Sequence, residues 1–274
     1  MTNDQPHGND LEHPGFEYLR FDRDGDVLRV TIDRPDDPLN AVNGTLHDEL
    51  TRLFPLLQRE RTARAVLLTG AGRAFSAGGD FRWFPELQEP GALEDLRLDA
   101  RQMIWDLLDV PLPIVCAING HAVGLGASIA LLCDVILMAE SASIADPHVR
   151  VGLVAGDGGT IAWPLAVGPA RAKQYLLTGD PVPAAEAERI GLVNRVVADK
   201  KLDAEALAFA RKLAALPPLA VRHTKAAVNN WMKQTAMASF ELAAASEIST
   251  FRSDDHAEAL ASLREKRPPR FTGR

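Results

Sequence analysis

Over its first three quarters the chain alternates short apolar runs with turns rich in Gly, Asn, Asp and Pro; from residue 203 it becomes a series of Ala- and Leu-rich amphipathic stretches. Short runs dominated by Val, Ile and Leu are the pattern of strands buried in a sheet. They predict strands over 16–22, 27–33, 65–69, 114–118, 135–139, 142–145 and 191–197, with a turn at 23–26 joining the first two. Apolar residues at helical spacing predict helices over 43–59, 93–108, 127–133, 161–167, 169–177 and 183–190. Asn43 is a candidate cap for the first, and Pro55 inside it predicts a kink or an early end. Residues 147–160 read as a loop that closes on a glycine turn. The tail predicts helices over 203–216, 219–234, 236–251 and 255–265. Pro217-Pro218 separates the first two, and Ser253, Asp255 and Glu258 form a helix start with a capping box. Residues 1–14 are polar and read as a disordered leader. The organisation is α/β: a strand-rich core over 15–200, then a helical appendage over 201–274.

Two glycine-rich stretches break this regularity. In Ile114–Asp134 a strand runs into a turn holding Gly120, Gly124 and Gly126, and then into a helix. Glycines there let the backbone approach a ligand, and the first N–H groups of the helix are left free to hold an anion or a developing oxyanion. A dinucleotide fingerprint fails, because Ile129 stands where its third Gly belongs. Gly126-Ala127-Ser128-Ile129-Ala130 is a loose variant of the nucleophile elbow, although Ser near a helix start also serves as a cap. The second stretch, Arg64–Asp80, is again a strand and a turn, followed by Ala74-Phe75-Ser76-Ala77-Gly78-Gly79-Asp80.

Composition narrows the function. The chain has 274 residues, 46% of them hydrophobic, enough for one large core. A net charge of −7 without a basic stripe argues against nucleic acid as a partner. Cys116 and Cys133 lie inside apolar runs and read as buried free thiols, not a disulfide framework. No His spacing suggests a metal site, and no signal peptide or long apolar span is visible, which reads as a cytoplasmic protein.

The motif A-F-x-A-G-x-D at 74–80 and the motif N-G-x-A-x-G-x-G at 119–126 together resemble the crotonase superfamily, whose best-known member is enoyl-CoA hydratase. The resemblance runs from about Val27 to the C-terminus through Ile32-Asp33-Arg34-Pro35, Leu39-Asn40-Ala41, Gly168-Pro169-Ala170-Arg171-Ala172 and Glu265-Lys266-Arg267-Pro268. It implies a ββα spiral core with a helical tail used for trimer packing, as a homotrimer or a dimer of trimers. It also implies an acyl-CoA substrate, with coenzyme A arriving as part of the substrate and no separate cofactor.

By motif position, the resemblance assigns the thioester oxygen to the backbone N–H groups of Ala77 and Leu125. The coenzyme would lie along Leu39, Ala41, Ala74, Ser76, Gly78, Asp80 and Gly124, with Arg34 and Lys266 or Arg267 meeting phosphates. The variable region 81–110, with Trp83 and Phe84, would cover the acyl group or simply pack the core. A hydratase of this family uses two Glu. Here Ser128 and His148 occupy those positions, which disfavours ordinary hydration. What remains is His148, a candidate base near neutral pH, and Asp157, which could orient it, shuttle a proton or act as nucleophile. Asp157 matches a position used by dienoyl-CoA isomerases and by an aromatic acyl-CoA dehalogenase, and the His148/Asp157 pair is similar to that of a β-diketone hydrolase. Isomerisation is the expected reaction. Retro-Claisen hydrolysis, or a catalytically silent CoA-binding or RNA-binding member, are the alternatives. His121 reads as structural.

Overall fold

The computed structural model describes residues 15–274; the leader expected over 1–14 lies outside them. In chain order the elements are β1 (Leu19–Asp24), β2 (Val27–Ile32), α1 (Gly44–Arg59), β3 (Ala65–Gly70), β4 (Ala74–Ser76), α2 (Ala92–Asp109), β5 (Ile114–Ile118), β6 (His121–Val123), α3 (Leu125–Leu131), β7 (Val135–Ala139), β8 (Ser143–Ala145), α4 (Gly159–Thr178), β9 (Val182–Pro183), α5 (Ala184–Arg189), β10 (Arg195–Val197), α6 (Leu202–Ala214), α7 (Pro218–Phe251) and α8 (Asp254–Glu265). One sheet has the order β1-β2-β3-β5-β7-β10, parallel except for the β1–β2 hairpin. The other has the order β4-β6-β8-β9. The chain passes from the first sheet to the second at β3–β4, β5–β6 and β7–β8, so each of these turns stacks on the one before. This is the ββα spiral expected from the resemblance.

The three-residue strand β6 lies inside the glycine turn expected at 120–126, and β4 lies in the motif after the first turn, where no strand was expected, because three residues show no alternation. β1 starts three residues later than predicted. The N–H groups of Glu17 and Tyr18 are donated to the Glu49 carboxylate on α1, not to a strand, the second at 2.9 Å. Asn43 caps α1 by accepting the Leu46 N–H at 3.0 Å. Pro55 does not end α1: the buried row Leu50, Leu53, Phe54 and Leu57 holds the helix to Arg59 despite the missing N–H. The segments predicted over 161–167 and 169–177 meet in α4, which bends at Gly168 (φ 76°, ψ 162°).

Two expectations for the tail are corrected. Residues 219–234 and 236–251 form one helix of 34 residues, α7. No Gly or Pro interrupts it, and the Thr235 hydroxyl donates back to the Trp231 carbonyl at 2.9 Å without breaking it. Ser253 caps α8 through the His256 N–H at 3.1 Å, but Glu258 lies beyond reach of a capping box and pairs with Arg267 instead. The tail also belongs to the core, since Ala206, Ala210 and Ala214 of α6 are buried in the main apolar cluster.

One buried ion pair ties α7 to this core. Lys225 Nζ donates to Asp134 at 2.6 Å and to the Leu112 carbonyl at 2.8 Å, with its side chain 7% exposed. Lys225→Met leaves a partly buried carboxylate without its cation, a loss of about 1–3 kcal/mol. Urea unfolding should register it, whereas Lys233→Ala, which removes an ion pair with the exposed Asp109, should cost about 1 kcal/mol or less.

Candidate functional site

Asn40, held at φ 50°, organises the first glycine-rich stretch. Its side chain accepts the Arg34 N–H at 3.0 Å and donates to the carbonyls of Ala71 and Ala74 at 2.8 and 3.1 Å. Its carbonyl accepts the Ser76 hydroxyl at 2.8 Å. The segment 76–80 then runs beside 39–42. The Ala77 N–H goes to the Leu39 carbonyl at 2.9 Å, the Gly78 carbonyl accepts from Val42 at 2.7 Å, and the Asp80 N–H goes to the Val42 carbonyl at 2.9 Å. In this parallel bridge the residues on either side of Gly79 make the bonds, so the amide of Gly79 itself faces away from Val42.

The second stretch supplies the other amide. Leu125 is the first residue of α3, where an N–H has no partner within the helix. The start of α3 presses on β4 so closely that a Cβ on Gly126 would lie 2.8 Å from the Ser76 Cβ. At Gly78, φ is 76° and a Cβ would lie 2.8 Å from the Val123 carbonyl oxygen, so only glycine fits. Gly79 and Leu125 line one cavity, and no acceptor among the described residues takes either N–H. This corrects the expectation for Ala77, whose N–H is spent on Leu39. The left-handed Gly78 changes which way the following amide points, and motif spacing does not carry that information.

His148, Asp157 and Glu247 line the same cavity, with Asp146 and Ser128 behind them. His148 lies on a 3₁₀ turn, His148–Val151, directly after β8. Its Nδ1 is 2.5 Å from Asp146 Oδ1. Its Nε2 is 3.5 Å from Asp157 Oδ2 and 3.8 Å from Glu247 Oε1 on α7. The Ser128 hydroxyl on α3 donates to Asp157 Oδ1 at 3.2 Å. Ser128 therefore positions Asp157 and is not paired with an imidazole as a nucleophile would be. Burial works against charge on His148, but Asp146 and Asp157 outweigh it and hold the imidazole pKa well above its usual value. Burial raises Asp157, aided by Asp146 and opposed by the His148 charge and the Ser128 hydroxyl. Burial and the Asp157 charge push Glu247 up to about 8.

The sequence pointed to His148, Asp157 and Ser128, and the fold brings them together. It missed Asp146 and Glu247. Glu247 had a readable signal: it shares the inward stripe of α7 with Ala243, Ala244, Ile248 and Phe251, an odd place for a carboxylate. The ligating atoms of Asp146, His148 and Asp157 lie within 4.8 Å of one another, close enough for a divalent ion. The short Nδ1 contact with Asp146 commits that imidazole nitrogen to a hydrogen bond instead.

The other expected contacts divide. Gly78, Gly124, Trp83 and Phe84 line the cavity, which encloses about 120 Å³. Phe84 also packs the small core with Phe251. Ala74 and Ser76 are buried behind the cavity wall, and Leu39 and Ala41 are half-buried in the segment that backs it. Arg34 is not free for a phosphate: its buried guanidinium is bound by Asp36, Asp80 and the Ala41 carbonyl. Arg82 and Arg34 together hold the Asp80 carboxyl well below the usual range, so Asp80 is structural as well. The exposed cation beside the mouth is Arg82, in a groove that shares Trp83 with the cavity. Lys266 caps the end of α8 in a left-handed conformation and is exposed, and it does not line the cavity. His121 contacts Ser143 away from the site.

Residues 22–274 match the family model for enoyl-CoA hydratase/isomerase. The chain belongs to that family. An enoyl-CoA hydratase/isomerase from Mycobacterium paratuberculosis has a solved structure similar to this chain, with 41% identity, a TM-score of 0.86 and coverage of 90% of this chain and 98% of that one. Among curated relatives, the 1,2-epoxyphenylacetyl-CoA isomerase of Escherichia coli is 32% identical over 263 residues, spanning 94% of this chain and 100% of the relative. The β-diketone hydrolase of Anabaena, solved with (S)-3-oxocyclohexyl acetic acid, is 31% identical with a TM-score of 0.82, covering 90% and 98% of the two chains. Enoyl-CoA hydratase/isomerase relatives thus include a CoA-ester isomerase and a hydrolase, and the acid–base set must decide between such reactions.

Proposed function

We propose that this member of the enoyl-CoA hydratase/isomerase family moves a proton between carbons of an acyl-CoA thioester instead of adding water across a double bond. The observation that carries the reading is the pair of carboxyls that flank His148 Nε2 on one cavity, Asp157 at 3.5 Å and Glu247 at 3.8 Å. Burial raises both, Glu247 to about 8, while the Ser128 hydroxyl opposes the rise at Asp157. The hydroxyl that Asp157 accepts suits it to the carboxylate role of base, and Glu247 to that of acid. The amides of Gly79 and Leu125 hold the thioester carbonyl oxygen. Asp157 takes a proton from carbon, the electron pair moves to that oxygen as an enolate, and Glu247 gives its proton to a different carbon. His148 then returns the site to its starting state: its Nε2, between the two carboxyls, passes a proton to Glu247 and takes the one on Asp157. No step calls for a cofactor beyond the coenzyme A of the substrate.

Retro-Claisen hydrolysis is the second reading, favoured by the Asp146–His148 pair. A carboxylate on Nδ1 leaves Nε2 to deprotonate a water, as in hydrolytic triads. The two readings have opposite alkaline limbs. Proton transfer slows above pH about 8 as Glu247 ionises; hydrolysis speeds up as His148 loses its proton. The experiment incubates the protein with 2- and 3-enoyl-CoA isomers and with a cyclic β-diketone in D2O, following isomer ratio, deuterium uptake and ring opening by NMR across pH. Isomer interconversion with deuterium at carbon supports the first reading, and ring opening the second. Tight acetyl-CoA binding with no turnover of any substrate would leave a CoA-binding protein.

Two features bear on the setting. Leu216, Leu219, Val228, Trp231, Met237 and Leu242 are large exposed apolar residues in and beside α7, which supports self-association through the helical tail, as a trimer or a dimer of trimers. Free buried Cys116 and Cys133 suit a reducing compartment such as the cytoplasm. No helix among the described residues is long and apolar enough to cross a membrane.

A further inference from the structure

Helix α2 turns an apolar stripe inward, including Leu93, Ala100, Ile104 and Leu107. Arg97 stands on that stripe, four residues after Leu93 and three before Ala100, and it lines the cavity. No other Lys or Arg among the described residues does so. Its side chain is 22% exposed, and its guanidinium is held by Glu94 at 3.0 Å through Nε and 2.5 Å through Nη2. Glu94 is 52% exposed, so this is a solvent-side pair one helical turn apart and easily exchanged.

The far end of the same stripe reaches the proton-transfer groups. Ile104 Cδ1 lies 3.1 Å from where a Cβ on Gly158 would be, and the Ser128 Cβ lies 3.0 Å from that point. The cavity that Arg97 shares with His148, Asp157 and Glu247 encloses about 120 Å³, room for a short acyl group. Asp146 and Asp157 outnumber the single charge of His148 and disfavour an anion at the reacting end, while Arg97 attracts one at the other. A guanidinium fork pairs with a carboxylate through two parallel hydrogen bonds.

We propose that Arg97 seats a carboxylate at the far end of the acyl group, so that the substrates are thioesters of short dicarboxylic acids. The proposal rests on the acyl-thioester reading of the site. The substrate carboxylate takes the place of Glu94 on the guanidinium, and the chain between lies against Leu96 and Ala100.

The test compares glutaconyl-CoA with 2-pentenoyl-CoA, which carries a methyl in place of the carboxylate. The expected ratio of their kcat/KM values is about 50 in the wild type, the discrimination expected of one hydrogen-bonded charge pair. Arg97→Met brings the ratio near one, chiefly by raising KM for glutaconyl-CoA, and Arg97→Lys restores part of it. A ratio near one in the wild type, or an unchanged ratio in Arg97→Met, overturns the proposal. Should neither thioester be turned over, the isomerase reading fails separately, and calorimetry with glutaryl-CoA and pentanoyl-CoA decides this one. Preference for glutaryl-CoA that is lost in Arg97→Met upholds it; equal binding, or none, overturns it.

Discussion

Leu125→Pro lowers kcat by about 10²–10³-fold, the usual effect of deleting one oxyanion donor. Position 125 allows this to be tested cleanly. It is the first residue of α3, where proline is well accepted because the N–H it lacks has no partner in the helix. The substitution thus removes the donor and keeps the helix. It also removes a buried Leu side chain from the cavity wall, so Leu125→Ala is the control: it loses the side chain and keeps the N–H. The account predicts that alanine costs far less in kcat than proline. Equal losses would mean that only the packing of Leu125 mattered.

Asp157→Asn is the second large effect, a fall of about 10²–10⁴-fold in turnover, the range for losing a positioned general base. Asn keeps the shape and can still accept the Ser128 hydroxyl, so the loss reports on the charge. The same substitution carries a signature that a merely structural role would not give. The Asp157 charge is one cause of the raised Glu247 pKa and one cause of the raised His148 pKa. Removing it lowers both, so the imidazole titration followed by NMR moves to lower pH. The alkaline limb of the residual activity moves to lower pH as well, below the value of about 8 set for Glu247. A catalytically dead variant with an unmoved imidazole titration would contradict the cluster as described.

Both substitutions touch residues that were visible in the sequence, and their partners show where legibility stopped. Leu125 was assigned through the motif at 119–126, and α3 starts there, two residues before the helix expected over 127–133, which leaves that amide without a partner in the helix. Its counterpart was misplaced by two residues: Ala77 and Gly79 are equivalent in spacing, and only the left-handed Gly78 and the bridge to Val42 decide which amide is free. The long strands β2, β3, β5 and β7 declared themselves through apolar runs. The short strands β4 and β6, which carry the cavity wall, did not, because their pairing comes from the stacking of successive spiral turns. Arg34 looked available because a sequence does not show that Asp36 and Asp80 converge on it. Glu247 lies 90 positions beyond Asp157 and reaches the site only because α7 runs on as a single helix past the break expected at 235. Position on an inward stripe was the one clue, and for Arg97 it is the same clue.

The central claim is that one thioester carbonyl sits between the amides of Gly79 and Leu125, with the Asp157, His148 and Glu247 side chains over its acyl chain. A crystal structure with an unreactive acyl-CoA analogue tests it most directly. The account predicts the carbonyl oxygen about 2.7–3.1 Å from both nitrogens, the separation expected of oxyanion donors, with the Ala77 N–H still on Leu39. A carbonyl bound to neither amide, or a thioester lying outside the cavity, would contradict it.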